Sequence, residues 1–301
     1  MRTRLYKLAL CGMIASIFAC NKDVQPEIPA NGNISKINFY SSSDVLALYN
    51  MGGIGLFIDS PVVKRNGLIP FFNLSASPQK KEYPTVYSSM PSIVYTSFRD
   101  GKHQFRFNYM VPDTTTTMEG ILPHRMLIDS SISFDRGREM LCYLADKPLV
   151  AEGQEPAFQL LHVQLEGTAQ NDANTVSLYI LHQAADAGLL RCSSVLPDGS
   201  LSTEKVPQSL AYGQTTAAIT FNTKDASNGL FGLRFYDATT GQELVNTAIP
   251  ANGGHAYILA IQGFKTAHQF KIPVSVNQDK TVNYSTKTVT ANLRSDLRQL
   301  W

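Results

Sequence analysis

Charge and cysteine are both scarce in this 301-residue chain. Only 17% of its residues are charged, and 26 basic against 24 acidic side chains leave a net of +2. A balance this neutral offers no one-signed field to attract nucleic acid or another polyanion. There are 4 cysteines and a single tryptophan. The longest apolar stretch near the start, Leu8 to Phe18, would rise only about 16 Å as a helix, against a hydrocarbon core of about 30 Å, so it is too short to span a membrane. Nucleophile elbows, zinc-protease helices, phosphate loops and calcium loops are all missing, which removes the enzyme classes that announce themselves by linear spacing. Helical periodicity is lacking as well, until the last turns of the chain.

What is present begins with a leader. A basic start, MRTRLYK, precedes the apolar stretch, and small Ala19 stands just before Cys20, the order of parts in a signal peptide. Ile17, Phe18, Ala19 and Cys20 resemble the lipobox of bacterial lipoproteins, in which the thiol receives a diacylglyceryl group and becomes the new N-terminus. Two or more acyl chains hold a soluble domain stably at a membrane surface, because each buried methylene contributes about 0.8 kcal/mol. Cys11 is the poorer candidate, since Leu10 precedes it. The NKD that follows Cys20 is similar to the surface-export tag of Bacteroidetes-type lipoproteins, with one acid. The expected location is therefore the outer membrane, lipid-anchored at Cys20 and facing the exterior, with the periplasmic face as the alternative. Losing Arg2, Arg4 and Lys7 with the leader leaves 23 basic against 24 acidic residues. Pro26, Pro29, Gly32 and little apolar matter make the next segment a flexible tether.

Strand signals fill the rest. In HQFRFNY, His103, Phe105, Phe107 and Tyr109 alternate with Gln104, Arg106 and Asn108, the period of a half-buried strand. Asp100-Gly101 reads as a hairpin turn before it, and Asp237 to Gly241 and Pro197-Asp198-Gly199 as two further turns. Met140 to Leu144 and Ala256 to Ile261 are apolar runs expected to be central strands buried on both sides. The pattern also repeats. INFY at 37–40 aligns with LLHV at 160–163, IGLFID at 54–59 with VSLYIL at 176–181, and SIVYTSF at 92–98 with TTAAITF at 215–221. FRF at 105–107 then aligns with LRF at 233–235, and GREMLCYLA from Gly137 with GHAYILAI from Gly254. Length changes confined to loops are what a duplicated sandwich shows.

The predicted fold is all-β: two tandem antiparallel β-sandwiches, Ig-like or transthyretin-like, with a C-terminal β-hairpin extension. The expected organisation is a signal peptide over 1–19, a tether over 20–35, a first repeat over 36–144 with an insertion at 60–90, a linker over 145–157, a second repeat over 158–268, and a hairpin with a short helix over 269–301. The helix rests on Leu293, Leu297 and Leu300, which fall at helical spacing. Cys142 falls in a core strand and Cys192 at a loop edge of the other repeat. An exported chain permits a bridge between them, but a buried free thiol is the reading for Cys142.

LLHVQLEG, VSLYIL, AYGQTTAAI and FYDATTGQELVNTAIPANGGHAYILAIQG together resemble the extracellular domain of unknown function 4397, over Phe158 to Phe264 and less closely over Ile37 to Leu144. The resemblance implies tandem secreted or lipoprotein sandwiches and brings no established activity. The proline-rich turn of that family is replaced here by QLEGTAQNDAN and SSSDVLALYNMG.

Candidate chemistry is thin. Six histidines are scattered; His162 and His182 lie on separate strands of one repeat and read as ordinary strand residues, because a metal site needs three or four convergent ligands. Asp129 with Asp135 and Asp44 with Asp59 flank strands, without a spacing that defines a carboxylate pair. The insertion offers Phe71, Phe72, Tyr83 and Tyr87 among four prolines, either as a platform for sugar rings or a protein or as a plug for the first sandwich. No cofactor, metal or catalytic residue is expected. The function predicted is a non-catalytic, surface-exposed lipoprotein acting as a binding or adhesion module, with a membrane as one partner and a glycan or envelope protein as the other. An assembly subunit of an outer-membrane complex, a glycan-capture accessory and a secreted hydrolase stand as alternatives.

Overall fold

A computed structural model describes residues 34–49, 53–62, 69–73, 82–84, 92–113, 120–148, 151–165, 172–277, 279 and 281–300. Its regular structure is strand, apart from two one-turn 3-10 segments. The first strands are β1 (Ile34–Ser41), β2 (Gly53–Ile58), β3 (Ile69–Asn73), β4 (Glu82–Tyr83), β5 (Thr96–Arg99), β6 (Gly101–Asp113), β7 (Gly120–Phe134), β8 (Glu139–Asp146) and β9 (Phe158–Leu165). Next come β10 (Thr175–His182), β11 (Leu190–Val195), β12 (Leu201–Ser202), β13 (Ile219–Asn222), β14 (Leu230–Asp237), β15 (Glu243–Pro250) and β16 (Ala256–Gln262). The chain ends with β17 (His268–Val276), β18 (Val282–Val289) and β19 (Arg294–Gln299).

Four of the sheets stack through three apolar layers. The sheet β3-β2-β6-β7 faces the sheet β4-β1-β8-β9, to which β5 adds at β1. Phe39, Ile54, Leu56, Phe105, Phe107, Ile128, Phe134, Met140 and Leu144 fill the space between them. In the second pair, β13-β10-β16-β19 faces β12-β11-β14-β15 across Val176, Leu178, Leu233, Phe235, Ile249 and Leu259. The middle layer joins the two pairs: Leu141, Tyr143, Val163 and Leu165 of the first meet Tyr179, Leu181, Ala256 and Ile258 of the second. This stacking is why β8 and β16 are apolar at successive positions and buried throughout; each has a core on either face, so no residue of the alternating pair is left to water.

The two pairs share one topology. β1 runs parallel to β8 and β10 parallel to β16; β5 lies antiparallel to β1 and β13 antiparallel to β10. β9 is the antiparallel neighbour of β8, and β19 that of β16. The counterpart of β1 is therefore β10, not β9, and the counterpart of β2 is β11. The alignment of INFY with LLHV and of IGLFID with VSLYIL is thus one strand out of step, while the later segments correspond as aligned. The physical reason is local: β9 follows β8 through a short connector, so the chain reverses and pairs with the strand it has just left.

Two further expectations change. Asp100-Gly101 is a turn, with Gly101 at φ 109°, but it does not close a hairpin, because β5 pairs in one sheet and β6 in the other. The chain crosses between layers there, so Phe98 and Phe105 approach from facing sheets with ring centroids 5.9 Å apart. The short helix expected near Leu293, Leu297 and Leu300 is instead the strand β19. Its alternation carries the explanation: Leu293 and Leu297 turn toward the second core, while Arg294, Asp296 and Arg298 turn toward the first sandwich and find partners there. The leucine spacing of four fits a helix and one face of a strand equally well.

The C-terminal hairpin β17–β18 is present, and it is clasped to the first sandwich. Phe270, Ile272 and Val289 belong to the first core together with Tyr49 and Phe158, and the connector before β9 pairs with it through Gly153 N to Gln269 O at 2.9 Å and Lys271 N to Gln154 O at 2.9 Å.

Candidate functional site

The aromatic candidates separate. Phe71 and Phe72 lie on β3, an edge strand in which Phe72 pairs with Ile54 of β2; what reads as a broken loop is extended backbone at a sheet margin. Tyr83, on β4, pairs with Phe39 and packs half-buried against the first core. Tyr87 and Cys20 lie outside the described residues.

The histidines do not converge. His182 is buried, its Nε2 donating to Gly188 O at 2.7 Å while Nδ1 accepts from Ala184 N at 3.2 Å. These bonds fix one neutral tautomer and pin the chain after β10, and burial lowers the pKa of the ring. His162 sits on β9, in a different sheet, also lowered by burial. His103 bonds Asp59 at 2.5 Å and Arg99 O at 3.1 Å. Among the described residues no group of three or more His, Cys, Asp or Glu is placed to hold a metal ion.

The acids flagged by position are each held by another group. Asp44 takes both terminal nitrogens of Arg294, at 2.8 and 3.0 Å; Asp59 also accepts from Gln104 N at 2.8 Å; Asp129 accepts from Arg106 and Gln104; Asp135 accepts from Gln164 at 2.6 Å. Cys142 and Cys192 are both free and buried, one in each sandwich core. Burial pushes the Cys192 thiol up to about 12 and the Cys142 thiol higher still, which leaves neither as a nucleophile at neutral pH.

Sequence reasoning missed the ionisable groups that matter most. At the seam between the sandwiches, Arg298 is 8% exposed. It donates to Asn38 Oδ1 at 2.9 Å and to Glu82, reaches Tyr143 OH at 3.4 Å, and lies 4.3 Å from the Tyr40 ring centroid. Burial raises the Glu82 carboxyl, and the guanidinium opposes that shift. Tyr40 donates to Asp296 Oδ2 at 2.7 Å. At the end of β8, Asp146 accepts from Ser43 and from Asp44 N at 3.0 Å, and burial pushes its carboxyl up to about 7. A third group lies at the hairpin: His268 between Glu152 and Asp186. The period-two alternation in LRSDLRQ was the one available signal for the seam; charged residues on a strand normally face water, and pattern alone does not show that a second sandwich covers them.

One concavity opens beside β13, a groove of about 620 Å³ lined by Thr175, Lys205, Val206, Thr216, Ile219 and Asn222 among others. It holds a lysine and hydroxyls without a histidine or an acid, so it offers no acid–base pair.

No protein-family model matches the chain, and no curated protein matches it. Among solved structures, a candidate adhesin from Bacteroides ovatus is similar over 84% of this chain and 95% of that chain, at 9% identity and a TM-score of 0.20.

Proposed function

We propose that the protein is a non-catalytic lipoprotein of the outer membrane, anchored at Cys20, facing the exterior, and serving as a binding or adhesion module built from two Ig-like or transthyretin-like sandwiches of the kind implied by the resemblance to domain family 4397. The observation that carries this reading is how the ionisable groups are spent. Arg294, Arg298, Glu82, Asp44, Asp146, Asp186 and His268 all bind partners in other elements, and such bonds fasten layers together instead of forming a reactive centre. A stiff arm on a tether suits presentation of an edge, and β3 with Phe71 and Phe72 is the margin proposed to meet a glycan or envelope protein.

Cells carrying the wild-type protein, Cys20→Ser, or Phe71→Ala with Phe72→Ala test it. Palmitate labelling and whole-cell adhesion are both expected to be lost in Cys20→Ser. The aromatic variant should keep its label and lose adhesion. Label persisting in Cys20→Ser contradicts the anchor, and unchanged adhesion in the aromatic variant removes β3 as the contact and favours the assembly-subunit alternative.

A further inference from the structure

The hairpin β17–β18 begins at a histidine set between two carboxylates. His268 opens β17, and its ring lies between two carboxylates from separate parts of the chain. Nδ1 is 2.7 Å from Glu152 Oε1, on the connector between β8 and β9, and Nε2 is 2.9 Å from Asp186 Oδ2, in the loop after β10. Both acids are fixed in place: Glu152 Oε2 accepts from Gln269 N at 2.7 Å, and Asp186 accepts from Lys265 N at 2.6 Å, Thr266 N at 2.8 Å and Thr266 Oγ1 at 3.0 Å. The His268 and Asp186 side chains are each 14% exposed. The rings of Phe264 and Phe270 flank the imidazole, at 5.3 and 6.5 Å between centroids. Of the other charges nearby, Lys265 Nζ is committed to Asp237 at 2.9 Å, and Lys287 of β18 stands opposite Phe270 on the same hairpin face.

We propose that Glu152, His268 and Asp186 form a proton-controlled latch that keeps β17–β18 seated on the first sandwich. A neutral imidazole has one N–H: given from Nδ1 to Glu152, it leaves Nε2 to accept from Thr266 Oγ1 at 3.1 Å and to face Asp186 without a proton; the imidazolium donates to both carboxylates. Burial alone would lower the His268 pKa, but the bonds from Glu152 and Asp186 outweigh it and the net direction is up. Glu152 is lowered, first by the Gln269 amide; Asp186 is lowered because its bonds outweigh burial. The signs then define a window. The histidine's contribution is complete below its unfolded value of about 6.5 and is lost as pH rises through the raised folded value; the acids' contribution is complete above about 4 and is lost as pH falls through their lowered values. The latch is closed in mildly acidic medium and weakens on the alkaline side, so that the hairpin carrying Phe270, Ile272 and Val289 opens more often.

Hydrogen exchange of the full chain, corrected for intrinsic rates, and a histidine NMR titration test this. The wild type should show the β17–β18 amides opening roughly threefold or more between about pH 6 and pH 8.5, with the His268 ring titrating above the free-histidine value. His268→Gln should be flat over the same range. An equal slope in His268→Gln, wild-type protection independent of pH, or a wild-type His268 midpoint at or below the free value would each overturn the latch.

Discussion

Arg298→Ala is expected to lower the free energy of unfolding by about 3–5 kcal/mol, because it strips the cation from a largely buried pair and leaves a carboxylate without compensation. Arg298 is 8% exposed, and its guanidinium opposes the rise that burial imposes on the Glu82 carboxyl. Asn38 Oδ1 and the Tyr40 ring face lose a partner at the same time. Equilibrium unfolding in urea reads the loss. Adding Glu82→Gln to Arg298→Ala should recover part of it, since a neutral amide is far less costly to bury than an unpaired charge. A loss below about 1 kcal/mol would show that water reaches the seam and that the pair behaves as an exposed one.

Phe270→Ala is the second large effect, expected at about 3–5 kcal/mol for a buried phenylalanine whose site closes incompletely. Phe270 is 3% exposed and sits in the first core although it belongs to the last part of the chain. Its removal should therefore be felt in two places. Hydrogen exchange should quicken most across β17 and β18, and equally at the paired connector around Gly153 and Gln154, with β11 and β14 losing protection only as far as global unfolding is eased. Loss confined to the hairpin, with the connector unchanged, would mean that the hairpin is an appendage and not a clasp.

The sequence and the structure agree where period and turn chemistry decide the outcome. The alternation in HQFRFNY, the turns at Asp237 to Gly241 and Pro197 to Gly199, and the doubly buried runs around Leu141 and Ile258 all reappear, because side-chain direction in a strand is fixed two residues at a time. Agreement fails where tertiary position decides. Four-residue alternations such as INFY and LLHV are interchangeable as patterns, so only the sense of pairing with β8, parallel for β1 and antiparallel for β9, tells which strand is which. Leu293 and Leu297 satisfy two periods at once, and the layer covering Arg298 resolves them, with Leu300 on the opposite face in the middle layer. The candidate platform was legible as aromatics among prolines, but not as a sheet edge, because β3 is defined by its bonds to β2. His268 drew no notice, since its two acids come from residues far away along the chain.

The seam of Leu141, Tyr143, Ile258 and Arg298 joins the four stacked sheets into one cooperative body, and the chain carries its own reporters for that. Cys142 lies in the first core and Cys192 in the second, each 0% exposed. Pulsed thiol labelling along a urea series, with each cysteine followed by mass spectrometry, should find both becoming reactive at the same midpoint. Two separate midpoints would show sandwiches that unfold independently, and would contradict the claim that the seam of Leu141, Tyr143, Ile258 and Arg298 makes them one.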